Sequence, residues 1–396
     1  MSTEAPYLLW ICSWYPNALE PLTGDFLQRH ARAVAQQIPV HVWAFVHDAK
    51  GQITTSVSVE KRFIENVRET VVYFHIPPSG IRLIDKWRML QKMHRLVKAQ
   101  SRLQEQEFGK PQLIHAHIAV YAALLAHKLA NYWQLPFFIS EQWTEYLKEA
   151  TPNFQQANAF VRFKWLQAMR AAKGISAVSV YLAERLKELS GKNVVRIPNV
   201  VDTAIFNPSL ISSQANQLIH VSTFSPQKQP EFIIEAFAKA VHQYPEGVLV
   251  MVGPERKDLK ELAQQLGCIH RIIWKVEMPQ SELVHEIARS KALILYSAFE
   301  TFGCVVIEAL AVGVPVIGSD IPPMKELLLQ PEQGWIVANR NTTALATAML
   351  SAFKSELSAF RHQLSDKTTT EFSYKNVAQA FIDFYGMNIT PSTSDK

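Results

Sequence analysis

Residues 292–317 read ALILYSAFETFGCVVIEALAVGVPVI. The opening run, Ala292–Tyr296, is apolar at every position, as in a strand covered on both faces. A loop follows through Glu300. Gly303 then introduces a helical stretch that stops at Gly313-Val314-Pro315, where Gly and Pro sit at the places that end helices. A second apolar run, Pro315–Ile317, closes the unit. Strand, loop, helix and strand make one βαβ unit, and such units build parallel sheets. In an open α/β sheet ligands bind at the carboxyl ends of the strands, so the loop ending at Gly303 is the first place to look for chemistry.

The same alternation extends in both directions. In the first half, strands are expected near Leu8–Cys12, Val40–Val46, Val71–Ile76, Leu113–Ala116, Phe137–Ser140, Ser176–Val180 and Val194–Ile197. In the second they fall near Leu218–Ser222, Val248–Val252, Arg271–Trp274, Ala292–Tyr296, Pro315–Ile317 and Gly334–Val337, again with helices between. A polar stretch from Asn207 to Asn216 separates the halves. The reading is therefore α/β with two domains, 1–210 and 211–373, and a chain of 396 residues is long enough for both. A last helix, 374–388, carries apolar residues on one face and is expected to pack back on the first domain; 390–396 reads as a tail.

Composition narrows the class. Hydrophobic residues make up 48% and charged residues 19%, which supports large buried sheets and argues against disorder. The start lacks a signal peptide pattern and no apolar run is long enough to span a bilayer, so a cytoplasmic protein is expected. Cys12, Cys268 and Cys304 are widely spaced, with no Cys-x-x-Cys pair, and are read as reduced thiols. Charge is uneven: residues 1–212 hold 24 Lys+Arg against 16 Asp+Glu, a net +8, while 213–396 hold 16 against 19, a net −3. A basic first half suits an anionic surface or substrate.

The chemistry concentrates where the two glutamates flank the helix start. A helix opening at Gly303 offers the unpaired N–H groups of Gly303, Cys304 and Val305 and a partial positive charge, which together can hold a diphosphate without a metal. Glu300, just before the helix, can face a sugar. Glu308, about one and a half turns in, can accept hydrogen bonds from two ribose hydroxyls.

With its flanks, this segment resembles the E-x7-E motif of retaining family 4 glycosyltransferases. That resemblance implies the GT-B fold, two facing Rossmann-like domains with parallel sheets and a cleft between them. His220-Val-Ser-Thr-Phe-Ser-Pro-Gln-Lys228 is similar to the first strand and loop of the family's donor domain, where an Arg and a Lys bind the diphosphate. Lys228 matches the Lys, and Thr223 stands where Arg is usual. Gly253, after Val250-Met-Val, matches the glycine turn expected to line the donor site through backbone. Trp14-Tyr-Pro16 and Gly24-Asp25-Phe26 resemble the glycine loop over the donor phosphates and the acceptor. In Leu113-Ile-His-Ala-His117, His117 matches a residue that faces the transferred sugar, and Glu141 lies in an acceptor-side segment. Ile197–Asp202 is read as structural.

The implied activity is transfer of a hexose-type sugar from a nucleotide-sugar donor to a glycan or lipid-linked acceptor, with retention, in cell-surface polysaccharide or glycolipid synthesis. Glu300 and His117 are the candidate catalytic residues. No cofactor or metal is expected, since the sequence has no Asp-x-Asp, His-Glu-x-x-His or Cys-x-x-Cys. A nucleotide-sugar epimerase of related fold and a catalytically silent sugar-binding scaffold are the rival readings. Nucleic acid is disfavoured because no reader motif accompanies the basic excess. Residues 81–103 carry seven Lys/Arg against Asp85 alone, with Leu83, Trp87, Leu90 and Val97 on one helical face, the pattern of a segment lying on an anionic membrane.

Overall fold

The computed structural model describes residues 6–119, 121–207, 216–355 and 360–387. The expected domain boundary near 210, the tail 390–396 and the last residue of the expected 374–388 helix lie outside these. Two sheets organise the chain. The first holds β1 (Leu8–Cys12), β2 (Val40–His47), β3 (Val57–Ile64), β4 (Val67–Phe74), β5 (Ile114–His117), β6 (Phe137–Glu141), β7 (Gly174–Ala177) and β8 (Val195–Arg196), in the order β3-β4-β2-β1-β5-β6-β7-β8. The second holds β9 (Gln217–Val221), β10 (Val248–Val252), β11 (Ile272–Lys275), β12 (Ala292–Leu295), β13 (Val316–Ser319) and β14 (Gly334–Val337), in the order β11-β10-β9-β12-β13-β14.

Helices run between the strands. They are α1 (Asp25–Ala35), α2 (Arg82–Phe108), α3 (Ala122–Trp133), α4 (Ala159–Ala171) and α5 (Val180–Ser190) in the first half. The rest are α6 (Pro230–Gln243), α7 (Lys257–Gln265), α8 (Gln280–Ala288), α9 (Cys304–Ala311), α10 (Pro322–Leu327), α11 (Thr342–Lys354), α12 (Arg361–Glu371) and α13 (Tyr374–Tyr385). These are two parallel-sheet α/β domains, each doubly wound.

Strand order reverses at β1 in one sheet and at β9 in the other. Cys12 pairs with His117 across β1 and β5, and His220 with Ile294 across β9 and β12. The loops leaving β1 and β5, and those leaving β9 and β12, therefore emerge side by side at the switch points where a ligand crevice forms. Fully buried runs such as Leu-Leu-Trp-Ile-Cys in β1 hold the sheets in place, with every residue out of water.

Two elements depart from the expected pattern. Strand β3 was absent from it: Val57–Ile64 alternates exposed and half-buried residues and lies antiparallel on the sheet edge, joined to β4 by Glu65 and Asn66 at φ 50° and 62°. Without the Gly of a standard two-residue hairpin turn, its signal is weak. The strand expected through Val180 stops at Ala177, because the Ser179 hydroxyl accepts from the Leu182 N–H and caps α5.

Helix α13 packs along α1, and its Phe381 and Tyr385 join the first domain's core beside Trp10. Just before it, the Val201 N–H donates to the Phe372 carbonyl at 2.9 Å, so the chain's two passages between domains lie together.

Candidate active site

The strand-end loops of both domains enclose a cavity of about 470 Å3. On the second-domain side, Gly303 caps α9 at φ 106°, a left-handed conformation that only glycine adopts without strain. Its missing side chain leaves room where a Cβ would meet Met324 and Leu295 at about 3 Å. The first intrahelical bond runs from Val306 N–H to the Gly303 carbonyl, so the N–H groups of Cys304 and Val305 come before it, at a cavity wall. Glu300 is buried in the same wall and carries an ion pair with Lys228, whose loop leaves β9. The Cys304 thiol is held protonated, because burial pushes it up to about 12, and Asn199 donates to its sulfur at 3.2 Å.

The first domain supplies the opposite wall. Gly24 caps α1 at φ 75°, and a Cβ there would strike the Trp14 carbonyl at 2.8 Å, so the β1 loop folds tightly onto the helix start. Asp25 and Arg29, one turn apart, both reach the cavity. Arg29 Nη1 donates to Glu308 Oε1 at 2.7 Å across the cleft, and its Nη2 to Asp25 at 3.3 Å. Gln280 Nε2 donates to the same Glu308 oxygen at 3.0 Å. Both Arg29 and Glu308 are about 95% buried. Burial opposes the Arg29 charge, but Glu308 and Asp25 more than offset it; burial also pushes the Glu308 carboxyl upward against the pull of Arg29.

Thr223 is exposed at the cavity, on a loop held by a relay. His220 Nδ1 donates to the Ile294 carbonyl at 2.8 Å, so the neutral ring's Nε2 accepts from the Ser222 hydroxyl, which in turn accepts from the Phe224 N–H. Burial lowers His220 to about 4, which keeps that relay in one tautomer. Phe224 sits at φ 51°, a strained region for an aromatic residue, and Arg256 donates to its carbonyl at 2.6 Å. Gly253 lies behind this loop and not in the cavity wall. A Cβ there would meet the Ser222 carbonyl at 2.2 Å, and its own N–H is taken by the Lys275 carbonyl.

His117 is placed away from the cavity. Its ring is fully buried between Trp10 and His115, each with its centroid 4.0 Å away, and neither nitrogen has a partner. Burial, with His115 and His30 nearby, holds it far below the ordinary imidazole range. The next residue, Ile118, is at φ 61°, a rare conformation for a β-branched side chain. Three groups anchor that loop: the Ser13 hydroxyl donates to the Ile118 carbonyl, Ile118 N–H donates to the Ser140 carbonyl, and Glu141 Oε1 accepts from the Ala119 N–H at 2.8 Å. Glu141 also accepts from the Tyr146 hydroxyl, and burial pushes its carboxyl up to about 7.

Glu300, Gly303, Cys304, Val305, Glu308, Thr223, Lys228 and Asp25 thus meet at one cavity. Sequence reasoning missed Arg29, Gln280 and Asn199, which line it too. Arg29 had a signal, since it follows Asp25 by four residues on a helix opening at Gly24. Asn199 was read as structural, but its side chain reaches both Cys304 and the cavity. A neighbouring opening of about 700 Å3 lies between Trp143–Pro152 and the loops at Pro226 and Phe299. Helix α2 splits along its length: Met93 and Val97 are buried, while Leu83 and Trp87 are 79% and 61% exposed. On adjacent α4, Phe160 and Phe163 are also exposed.

Two doubly wound domains with a polar cleft between their strand ends define the GT-B glycosyltransferase architecture. The chain matches sucrose-phosphate synthase from Thermosynechococcus elongatus with a TM-score of 0.74 at 16% identity, over 96% of this chain and 98% of that one. It matches Anabaena HepE, solved in complex with UDP and glucose, with a TM-score of 0.67 at 17% identity, over 96% and 99%. The family model for glycosyl transferases group 1 covers residues 201–371, and that for glycosyltransferase family 4 covers residues 25–205. The chain belongs to this glycosyltransferase family. Among curated relatives, N-acetyl-alpha-D-glucosaminyl L-malate synthase of Bacillus anthracis is 27% identical over 194 residues, 46% of this chain, and the matched part spans half that protein's length.

Proposed function

We propose that this protein transfers a hexose-type sugar from a nucleoside-diphosphate sugar to a glycan or lipid-linked acceptor, with retention of anomeric configuration. The observation that carries the reading is the convergence of Glu300, Lys228, Glu308 and the α9 start on one cavity, faced across the cleft by Asp25 and Arg29. The HepE complex with UDP and glucose, on a similar fold, supports a nucleotide-sugar donor.

In this reading the diphosphate lies over the N–H groups that open α9, and the ribose hydroxyls donate to Glu308. As the sugar leaves, negative charge builds on the phosphate. Lys228 and the helix start meet that charge as it develops, which stabilises the transition state more than the ground state and supplies what a metal would otherwise supply. A front-face attack, in which a leaving-phosphate oxygen takes the acceptor proton, fits retention without a covalent enzyme intermediate. Glu300 then orients and electrostatically supports the sugar. His117 reaches the sugar in this reading only if the Ile118–Ala119 loop opens. The acceptor enters by the opening at Trp143, a residue that also lines the neighbouring groove of Leu83, Lys86, Trp87 and Phe160. Apolar side chains and cations on one surface suit an anionic membrane, which supports the reading of a cytoplasmic protein, peripheral on the membrane's inner face, acting in cell-surface polysaccharide or glycolipid synthesis. Among the described residues no helix is long and apolar enough to cross a membrane.

A thermal-shift screen of UDP-, GDP- and ADP-sugars tests the donor site, because a ligand that binds only the folded state raises its stability. Product analysis of the hit with and without acceptors then separates transfer from epimerisation. No stabilisation at millimolar concentration by any of the three classes overturns the reading.

A further inference from the structure

Among the described residues the donor cavity is lined by two side-chain cations, Lys228 and Arg29, and by four carboxylates, Asp25, Glu277, Glu300 and Glu308. A nucleoside diphosphate adds further negative charge, so its binding requires the existing ion pairs to be redistributed. Lys228 and Glu300 belong to the same domain and rearrange within it. Arg29 belongs to the other domain, and its principal partner is the carboxylate that the ribose would use.

The guanidinium is incompletely satisfied. Nη1 donates to Glu308, Nη2 makes a long bond to a partly exposed Asp25, and the buried Nε donates to no group. Arginine carries five donors in a planar fork that matches a phosphate bidentately, so capacity remains for a second anion. A neutral hydroxyl cannot by itself displace a buried guanidinium from a carboxylate, because the charge left behind would be unpaired and out of water. The exchange closes only if another anion arrives with the hydroxyl.

We propose that Arg29 is a phosphate-binding residue for the nucleoside-diphosphate donor, held on Glu308 until the ribose claims that carboxylate. The assignment rests on the donor-site reading above. Ribose and diphosphate arrive on one molecule, so Glu308 exchanges a guanidinium for hydroxyls while the guanidinium exchanges a carboxylate for phosphate oxygens. Arg29 keeps an anionic partner throughout, and Glu308 keeps hydrogen-bond donors, from Gln280 and the ribose. Arg29 then ties the first domain to the donor's phosphates, so the link between the two walls runs through the donor. A nucleoside without phosphates cannot complete the exchange and must bind against the Arg29–Glu308 bond.

The test is calorimetric titration of wild type, R29Q and R29K with UDP and with uridine, or with the diphosphate and nucleoside of whichever base the donor screen selects. R29Q should weaken UDP tenfold or more while uridine binds as well as or better than to wild type, since Glu308 is freed. R29K, which keeps the charge and loses the fork, should weaken UDP several-fold and leave uridine unchanged. Unchanged or tighter UDP binding by R29Q overturns the proposal, and so does an equal loss of both ligands, which would mark Arg29 as structural. Should R29Q fail to show a cooperative melt, R29K decides by the same two ligands: a loss confined to UDP supports the assignment, and no loss or a parallel loss overturns it. Wild type that binds no nucleoside diphosphate overturns the donor-site reading and this assignment with it, a result distinct from every pattern above.

Discussion

The Lys228 ammonium rests on the Glu300 carboxylate, joining the loop after β9 to the loop after β12. These loops flank the strand-order reversal of the second sheet, so the pair occupies the middle of the donor wall. Its two members carry different tasks in the proposed reaction. K228A should weaken donor binding and lower turnover together, whereas E300Q should keep donor affinity and lower kcat by roughly 100-fold or more. Calorimetry with steady-state kinetics separates the two, and a variant E300Q that turns over like wild type removes Glu300 from the chemistry.

The bond between Arg29 and Glu308 also predicts a pattern of stabilities. Removing either partner alone leaves a buried charge, which costs about 3–5 kcal/mol, while replacing both by apolar residues of similar size removes the charge problem as well. R29L and E308L should each unfold at lower denaturant than wild type, and the double variant should be more stable than either single one. Denaturant melts of the four proteins give the coupling directly.

Acid should weaken the fold. Burial lowers His30, His41 and His220 to about 4 and holds His115 and His117 well below the ordinary imidazole value. These groups stay neutral in the folded state, while in the unfolded chain they take protons below their ordinary value near 6.5. Each therefore costs stability as pH falls below 6.5, by roughly 1.4 kcal/mol per pH unit until its folded value is reached. The melting temperature should fall between pH 7 and pH 5. A flat or rising profile over that range would show that these rings are hydrated in solution.

Glu141 runs the other way. Its carboxyl is pushed up to about 7 by burial, so the ionised form strains the fold above pH 7 and the penalty fades as protonation sets in below it. The full penalty is about 3 kcal/mol. E141Q keeps an oxygen for Ala119 and Tyr146 but loses the charge. It should melt higher than wild type at pH 8, and the difference should shrink toward pH 5.

The surface built by α2 and α4 predicts binding to anionic vesicles. Flotation with phosphatidylglycerol vesicles should recover the wild type. Both R88E/K92E/R95E and a variant with Ser at Leu83, Trp87, Phe160 and Phe163 should stay in the dense fraction. The second should keep its melting temperature because those four side chains are solvent-facing, while R88E also gives up the Arg88 bond to the Pro77 carbonyl, so a cooperative melt must accompany the charge variant. Wild type that fails to float removes the membrane from the proposal.

The sheets were legible because runs such as Val248–Val252 and Leu8–Cys12 are apolar throughout, and few structures other than a doubly covered parallel strand suit them. The edge strand β3 was not, because one polar face and a glycine-free turn look like a surface loop. Most of the donor wall was legible for a related reason: Glu300, Gly303 and Glu308 lie within one local strand-loop-helix unit, where spacing alone sets geometry. Arg29 meets Glu308 from 279 residues away, and no local pattern records which helix of one domain will face which helix of the other. His117 shows the converse. Its place at a strand end was legible, but the direction of its ring was decided by Trp10 and by α13 folding back over that face.

The pairing of Val201 with Phe372 also has a mechanical consequence. Two spans of chain connect the domains, and they are fastened together at the point of crossing. Such a joint holds the domains together at one place and leaves rotation about it as the available relative motion. Arg29 and Glu308 face each other across the cleft between the domains, so the separation of these two side chains reports whether that cleft is open or shut.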